Sequence, residues 1–253
     1  MQFSEPLVRA QLIRRYKRFL ADVIFADGSI ATAHCANPGS MLGLAEPGAE
    51  VWLSRSTSPG RKLAWSWELL RLGPHLVGIN TAHPNRLATE AIASALIPEL
   101  AGYELVRREV KYGRNSRIDL LLSAPGRPDC YVEVKNVHLK RDRDLPGLAE
   151  FPDSVTARGT KHLAELADMV AAGHRAVMLY LAQRGDCDRF AIAADIDPAY
   201  AAALAQALAK GVEVLCYCCR ISQEAIEVDQ PLALWLERGK RQSFAAGRAM
   251  AGR

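Results

Sequence analysis

The chain has 253 residues, of which 49% are hydrophobic and 24% charged, and its formal net charge at neutral pH is +4. This composition is typical of a soluble globular protein with a sizeable core, so neither a disulfide nor a metal is required to hold the fold. The length fits one large domain or two ordinary ones, and the small positive excess permits a polyanionic partner without demanding one.

The N-terminal residues lack the apolar core of a signal sequence, and no apolar run approaches the length of a membrane span. We therefore expect a cytoplasmic protein with no membrane partner, in which the six cysteines are reduced. The run Cys216-Tyr217-Cys218-Cys219 lacks the second Cys or His pair of a zinc site and lies in an apolar segment, which favours small buried thiols.

Residues 1–80 alternate short apolar runs with Gly, Pro and Asp turns, a pattern that predicts a small barrel or sandwich. Asp27-Gly28 is a hairpin signal. The predicted strands are 12–25 (one long strand or two), 30–34, 51–54 and 62–70.

From residue 81 to 236 helical and extended patterns alternate, which predicts an α/β sheet with helices on its faces. Asp153 or Ser154 is the expected cap of the second helix, and Gly173 is its expected C′ residue. The predicted elements are a helix at 87–96, strands at 103–112, 116–123 and 130–139, a helix ending near residue 172, a strand at 176–183, a helix at 198–209 and a strand at 212–219. The basic segment 237–253 is predicted to be a flexible tail.

Two of the predicted strands carry charges among apolar residues. Glu133 and Lys135 are two residues apart, so they share one face of their strand, and apolar neighbours on both faces predict that this strand is covered on both sides. The preceding strand places Ile118, Leu120 and Leu122 on one face and Asp119 on the other. Buried charges are costly unless they are paired, hydrogen-bonded or bound to a metal.

If the two strands are neighbours, Asp119 approaches Glu133, and two converging carboxylates are suitable ligands for Mg²⁺ or Mn²⁺. Such an ion would polarise a phosphate and lower the pKa of its bound water, while Lys135 would orient that water or neutralise developing charge. A structural ion pair explains any one of these residues alone. The three together favour a metal-dependent phosphodiester site.

Glu90 lies on the predicted helix 87–96, on a flank shared with part of the apolar face, and would supply a further acid to the site. The alternative is an ordinary glutamate favoured by the helix dipole near the N-terminus.

Basic residues cluster before the first hairpin and on the helix after the site strands. They are candidate phosphate contacts, although a solvated basic face explains them equally well. Tyr16 or Trp52 would offer stacking surfaces for bases, with the core as the more common position for Trp52, and His162 alone is more often structural than catalytic. The candidate nucleic-acid-binding residues are Arg14, Arg15, Lys17, Arg18, Arg158 and Lys161.

From about residue 7 to 235 the chain resembles the sugar fermentation stimulation protein A family of bacteria and archaea. The segments that carry the resemblance are 12–23, His34-Cys35, Asn37-Pro38-Gly39-Ser40-Met41, Asn80-Thr81, Asn85-Arg86-Leu87, Glu90-Ala91, 109–113, Ser116-Arg117-Ile118-Asp119, 132–137, Phe151-Pro152-Asp153, Arg158-Gly159, Lys161-His162-Leu163 and Glu165-Leu166. Two positions depart from it, Pro38 and His138, where many relatives have Thr.

The resemblance implies an N-terminal domain like an OB fold and a C-terminal domain like the PD-(D/E)XK nucleases. It places Asp119, Glu133 and Lys135 at the core catalytic positions of that pattern, with Glu90 as the acid of the preceding helix. It also implies DNA binding and a link to the regulation of sugar metabolism, especially of maltose.

Three functional hypotheses follow. The first is a DNA-binding protein with a Mg²⁺- or Mn²⁺-dependent nuclease site, acting on DNA, with RNA as the less favoured substrate. The second is a non-catalytic DNA-binding regulator on a nuclease-like scaffold, although no recognition helix for the major groove is apparent. The third is a sugar- or nucleotide-binding metabolic protein, since a fold does not determine a function.

Overall fold

The computed structural model describes residues 1–56, 60–113, 115–141, 145–237 and 240–242. The N-terminal domain is built from six strands, and its turns fall at the Gly, Pro and Asp signals of the sequence. These strands are β1 (Val8–Tyr16), β2 (Leu20–Phe25), β3 (Ile30–His34), β4 (Glu50–Arg55), β5 (Trp65–Leu72) and β6 (His75–Gly78).

Strands β1 to β5 form a closed barrel, one of the two architectures that the alternating strands predict and the one that the family resemblance implies. The order is β3-β2-β1-β4-β5, and a parallel pairing of β3 with β5 through Ala33 and Trp65 closes the sheet. Leu12, Leu53 and Trp67 fill the interior. The predicted segment 12–25 is two strands, because the chain reverses at Lys17 and Arg18, both of which have positive φ.

The C-terminal domain alternates helices with strands, as predicted. Its elements are α1 (Pro84–Ala93), a 3₁₀ turn (Pro98–Leu100), β7 (Leu105–Tyr112), β8 (Ser116–Ser123), β9 (Cys130–Val137), β10 (Leu139–Lys140), β11 (Leu148–Phe151), α2 (Ala157–Ala171), β12 (Arg175–Ala182), β13 (Arg189–Ile192), α3 (Pro198–Ala209), β14 (Glu213–Ile221), β15 (Ile226–Pro231), β16 (Ala233–Glu237) and β17 (Lys240–Gln242).

The central sheet has the order β15-β14-β12-β9-β8-β7, with β9, β12 and β14 parallel and the outer strands antiparallel. Helix α1 covers one face, where Leu87 packs with Leu120 and Val132. Helices α2 and α3 cover the other face, where Leu163 packs with Val137. The apolar residues on both faces of β9 therefore have the two-sided covering that the sequence predicts. A second sheet has the order β10-β11-β13-β16-β17.

Three of the differences from the predicted boundaries have a local physical reason. Helix α1 begins at Pro84, because proline is well accommodated in the first turn of a helix, and ends before Ala95, which has positive φ. Helix α2 is capped by Thr156, whose Oγ1 accepts the Gly159 N–H at 3.0 Å, and not by Asp153 or Ser154. The predicted strand 130–139 breaks at His138, after which β10 joins the second sheet.

The two domains are joined by backbone contacts as well as by the chain. In β6, the Gly78 N–H donates to the Gln183 carbonyl at 2.9 Å, and Val77 forms an isolated bridge with Arg184. A Cβ at Gly78 would lie 2.8 Å from Gln183 Oε1, so glycine permits this close approach.

Two further expectations concern the cysteines and the termini. All six cysteines lie within the described ranges, are buried and carry free thiols, as predicted. The predicted flexible tail lies largely outside the described residues, and within it Lys240–Gln242 is a strand paired with β16. No helix of the described chain has the length and apolar character needed to cross a membrane.

Candidate metal-binding and nucleic-acid site

The central sheet opens between β8 and β9 where the predicted acids lie. The ladder between these strands runs from Leu122–Cys130 to Leu120–Val132. Beyond this last pair, the Val134 N–H donates to Oδ2 of Asp119 at 2.8 Å, so a side chain takes the place of a ladder partner. Ile118 packs in the core under α2, whereas Leu120 packs under α1, which breaks the single apolar face predicted for this strand.

Glu133 lies at this opening, is only 2% exposed and has its two oxygens in different environments. Oε1 accepts hydrogen bonds from Lys135 Nζ at 2.6 Å and from His162 Nδ1. Oε2 is buried and has no hydrogen-bond partner among the described residues. A buried carboxylate oxygen without a protein partner is costly, and it marks a position suited to binding a ligand.

The two carboxylates have opposite pKa shifts. Burial alone would raise the pKa of Glu133, but the His162 hydrogen bond and the Lys135 charge outweigh it and lower that pKa. Burial and the nearby Glu133 charge raise the pKa of Asp119, against the lowering effect of its hydrogen bonds from Val134 and Asn85. A divalent cation between them would relieve this repulsion.

His162 on α2 belongs to the site, although the sequence indicated only a structural residue. It is 3% exposed, and its Nε2 accepts from Arg158 Nε at 3.3 Å, which leaves Nδ1 to donate to Glu133. Its Nδ1 also lies 3.5 Å from Lys135 Nζ. The sequence feature that points to His162 as a site residue is its position one helical turn after Arg158, on the helix that follows the site strands.

Two other residues of the site were not predicted from the sequence. Asn85, in the first turn of α1, donates from Nδ2 to Asp119 Oδ1 at 2.8 Å. The Tyr112 hydroxyl is buried with no hydrogen-bond partner in the described chain. Burial and the charges of Glu133, Glu165 and Asp119 raise the pKa of Tyr112.

Glu90 does not join this cluster, which corrects the expectation that it reaches a metal there. Its carboxylate pairs with the Met1 amino group at 2.7 Å and with Arg86 Nε at 2.7 Å. The same amino group donates to the carbonyl of Ile226 in β15, the edge strand farthest from β7. The α1 residue that contacts Asp119 is Asn85, so the helix contributes an amide and not an acid.

Asp119 and Glu133 are the residues that would hold a cation. Their oxygens suit a hard ion such as Mg²⁺ or Mn²⁺, and the orphaned Oε2 of Glu133 fits that use. Across the described ranges no group of three or more His, Cys, Asp and Glu side chains is arranged to hold an ion. Further ligands would therefore come from backbone carbonyls, water or a bound phosphate.

The basic residues of the barrel divide into structural and exposed groups. Arg15 Nη2 donates to the carbonyls of Asn37 and Gly39 at 2.9 and 3.1 Å, so it holds the loop after β3. Arg14 is exposed, pairs with Asp22 at 2.9 Å and lies 4.7 Å over the Tyr16 ring.

Lys17 and Arg18 are exposed in the turn between β1 and β2, where Arg18 Nη2 donates to the Pro38 carbonyl at 3.1 Å. On α2, Lys161 Nζ donates to Ser116 Oγ at 3.1 Å, and Arg158 contacts His162. Trp52 is 2% exposed and belongs to the core, so it offers no stacking surface.

The fold defines a two-domain protein, an OB barrel followed by an α/β domain whose central sheet opens at the candidate site. Residues 13–79 match the SfsA N-terminal OB domain, and residues 82–225 match the sugar fermentation stimulation protein RE domain. The chain belongs to the SfsA family.

Relatives and a solved structure agree with this membership. The sugar fermentation stimulation protein homolog of Paramagnetospirillum magneticum is 63% identical over 92% of this chain and 98% of its own. That of Rhodospirillum centenum is 62% identical, with coverage of 92% and 99%. A structure of Pyrococcus furiosus SfsA in complex with Ca²⁺ is 26% identical, has a TM-score of 0.82 and matches 93% of this chain and 98% of that chain.

Proposed function

We propose that this protein binds DNA and hydrolyses a phosphodiester bond with Mg²⁺ or Mn²⁺, at a PD-(D/E)XK-type site made of Asp119, Glu133 and Lys135. The observation that carries the proposal is the buried, unpartnered Oε2 of Glu133 beside a second carboxylate whose pKa is raised. A cation would neutralise the repulsion between these two acids, and bound there it would face any phosphate entering the split between β8 and β9.

Each residue has a separate part in this proposal. Asp119 and Glu133 would hold the ion, which when bound supplies Lewis-acid polarisation of the phosphate and a more acidic water. Lys135 would place a positive charge beside the phosphate oxygens as negative charge builds up. His162 is a positioning residue, since it holds Oε1 of Glu133 and leaves Oε2 for the ion.

The Pyrococcus relative supports an oxygen-ligated cation, because its structure was determined with Ca²⁺. Calcium and magnesium both prefer carboxylate oxygens and differ mainly in coordination number and rigidity. We therefore expect Ca²⁺ to bind the present site as well.

DNA, more than RNA, is the proposed partner, and the exposed cations are its proposed contacts. Lys17 and Arg18 on the barrel and Arg158 and Lys161 on α2 are exposed and would contact phosphates. The exposed side chain of Arg14 would also contact a phosphate. Arg15 instead donates to backbone carbonyls of the loop after β3, so it would act by holding that loop in place.

The direct test is a cleavage panel. Single-stranded, duplex and branched DNA are incubated with the protein in Mg²⁺, Mn²⁺, Ca²⁺ or EDTA. The wild type is expected to cut at least one DNA in Mg²⁺ or Mn²⁺, whereas Glu133→Gln and Lys135→Met lose cleavage. Glu227→Gln, which removes an exposed carboxylate paired with Arg220, is the matched control and keeps full activity. Intact DNA in every wild-type reaction would reject the nuclease.

The alternative is a DNA-binding regulator that does not cut, and one observation favours it. Glu90, the third acid expected from the family pattern, is bound to the Met1 amino group and does not reach the site. In that case DNA affinity would fall with salt and survive Asp119→Ala. A role in sugar metabolism, suggested by the relatives' names, stays a prediction that growth of a deletion strain on maltose would check.

A further inference from the structure

A cleft of about 250 Å³ lies between the two domains. Arg18, Asn37 and Pro38 line it from the barrel, and Asn136, Phe151 and Asp153 are among the residues that line it from the C-terminal domain. Asp153 Oδ2 accepts the Ser40 N–H at 2.8 Å, so the walls are fixed to each other across the domain boundary. The volume is close to the lower end of ligand pockets, roughly 300–1,000 Å³.

The cleft lies at the end of β9 that follows the candidate metal site, with Asn136 on the strand face opposite Lys135. Asn136 directly follows Lys135 in β9, and Thr156, at the other wall, caps the helix that carries Arg158 and His162. Three residues of extended chain span about 10 Å. The backbone of His138, which lines the cleft, is therefore no farther than that from the backbone of Lys135. A few stacked nucleotides, about 3.4 Å apart along one strand, cover that backbone distance.

An exposed aromatic pair lies next to Arg18 at the barrel rim. Phe19 is 45% exposed, and its ring stacks on His34 with centroids 6.4 Å apart and an angle of 18° between the planes. Arg61 Nη2 lies 3.3 Å from His34 Nδ1. An aromatic surface bordered by cations is the device with which OB domains bind single-stranded nucleic acid, because every base has a face that can stack.

We propose that this protein takes single-stranded DNA, or the unpaired strand of a junction, with one base stacked on Phe19 and a neighbouring nucleotide in the interdomain cleft. The inference rests on the proposed function for its DNA ligand and adds the class of DNA. Arg18, which belongs both to the Phe19 turn and to the cleft lining, would contact the phosphate between the two positions.

Continuous duplex DNA does not satisfy this arrangement. A paired base is stacked on its neighbours, and removing it from the helix costs free energy before it enters a pocket. The cleft has room for about one nucleoside-sized group and not for a base pair. A single strand or a frayed end offers the same groups without that cost.

Binding measured in EDTA tests this proposal without cleavage. Fluorescence anisotropy compares a labelled single strand, the same sequence as duplex, and a strand of abasic residues. We expect Phe19→Ala to weaken single-strand binding about fivefold or more, the effect of losing one base–aromatic stack. Duplex and abasic binding should stay unchanged, and Phe19→Trp should restore the loss. Ile30→Ala, at the opposite end of the β2–β3 hairpin and 66% exposed, is the matched control.

A second variant tests the cleft itself. Ser154 is exposed at the cleft, so Ser154→Trp would fill it without removing a core contact. We expect this change to weaken single-strand binding, whereas Ile30→Trp does not. Both variants should retain the wild-type melting temperature.

The outcomes separate this inference from the nuclease proposal. Phe19-dependent binding of single strands without cleavage in any metal would support the present inference and reject the nuclease. Equal affinity for duplex and single strand, equal cleavage of both, or a Phe19→Ala loss that is the same for abasic DNA would overturn the present inference and leave the nuclease standing.

Discussion

Val134 is tied to Asp119 by a 2.8 Å hydrogen bond from its backbone N–H to the carboxylate, across the point where β8 and β9 separate. The strand that carries Glu133 is thus held next to the second acid by that acid's own side chain. Cation binding and the local geometry of the sheet consequently depend on one carboxylate.

This relationship predicts different effects for two substitutions. Asp119→Asn keeps an oxygen for the Val134 N–H, and Asn85 can turn its amide to match the new NH₂ group. Because burial and the Glu133 charge raise the pKa of Asp119, its ionised form destabilises the metal-free fold at neutral pH. We expect Asp119→Asn to unfold at equal or higher urea concentration than the wild type in EDTA.

Asp119→Ala removes the acceptor and leaves the Val134 N–H unpaired, which should cost about 1–3 kcal/mol of unfolding free energy. Mn²⁺ should stabilise the wild type and neither variant. Urea denaturation with and without Mn²⁺ measures both effects, and equal stabilisation of Asp119→Asn by Mn²⁺ would contradict the metal assignment.

His162 should be replaceable by a residue that donates from the same position. Asn has an amide nitrogen near the place of His Nδ1, so His162→Asn should retain most of the Mn²⁺ affinity, measured by calorimetry. His162→Ala loses the hydrogen bond to a charged group and should reduce the unfolding free energy by about 1.5–3 kcal/mol. It should also weaken Mn²⁺ binding, because Glu133 is no longer held. Unchanged Mn²⁺ affinity in His162→Ala would show that the histidine is only structural.

Local patterns are sufficient to predict much of this site. Residues two apart on a strand share a face, so the spacing of Glu133 and Lys135 alone predicts that they lie together, and the adjacency of consecutive strands brings Asp119 near them. Short alternating strands between turn residues predict in the same way an N-terminal domain that is a small barrel or a sandwich. These predictions need only neighbours in the chain.

Long-range docking accounts for the residues that local patterns do not predict. The sequence pattern does not indicate where α1 and α2 lie on the sheet, so Asn85 and His162 could not be assigned to Asp119 and Glu133. The same reason applies to Glu90, because its partner is the amino group at Met1, 89 residues away in the chain. The break at Ile118 was also unforeseen, because strict alternation assumes a regular strand and this one turns at the opening.

The position of Glu90 predicts that it is dispensable for metal binding. Glu90→Gln removes the charge that pairs with the buried Met1 amino group and with the exposed Arg86, so the unfolding free energy should fall by about 1–3 kcal/mol. Mn²⁺ affinity and any cleavage should match the wild type, whereas Glu133→Gln abolishes both. Loss of Mn²⁺ binding in Glu90→Gln would restore this acid to the site.

His138 predicts a pH dependence of stability that is separate from the site. Its Nε2 donates to the Gly78 carbonyl, while Nδ1 accepts from Asn37 Nδ2 at 3.0 Å and Asn136 Nδ2 at 3.0 Å. The ring is thus held neutral between the domains, and burial lowers its pKa from 6.5 to about 4.

Because the unfolded chain binds this proton more readily than the folded one, stability from His138 is complete above pH 6.5 and is lost as the pH falls toward 4. The loss is on the order of 3 kcal/mol. Urea denaturation between pH 7.5 and 4.5 should show this decline in the wild type and a shallower one in His138→Gln. Identical slopes would mean that the proton enters the folded protein without cost, and that the contact between Gly78 and His138 does not hold the domains together.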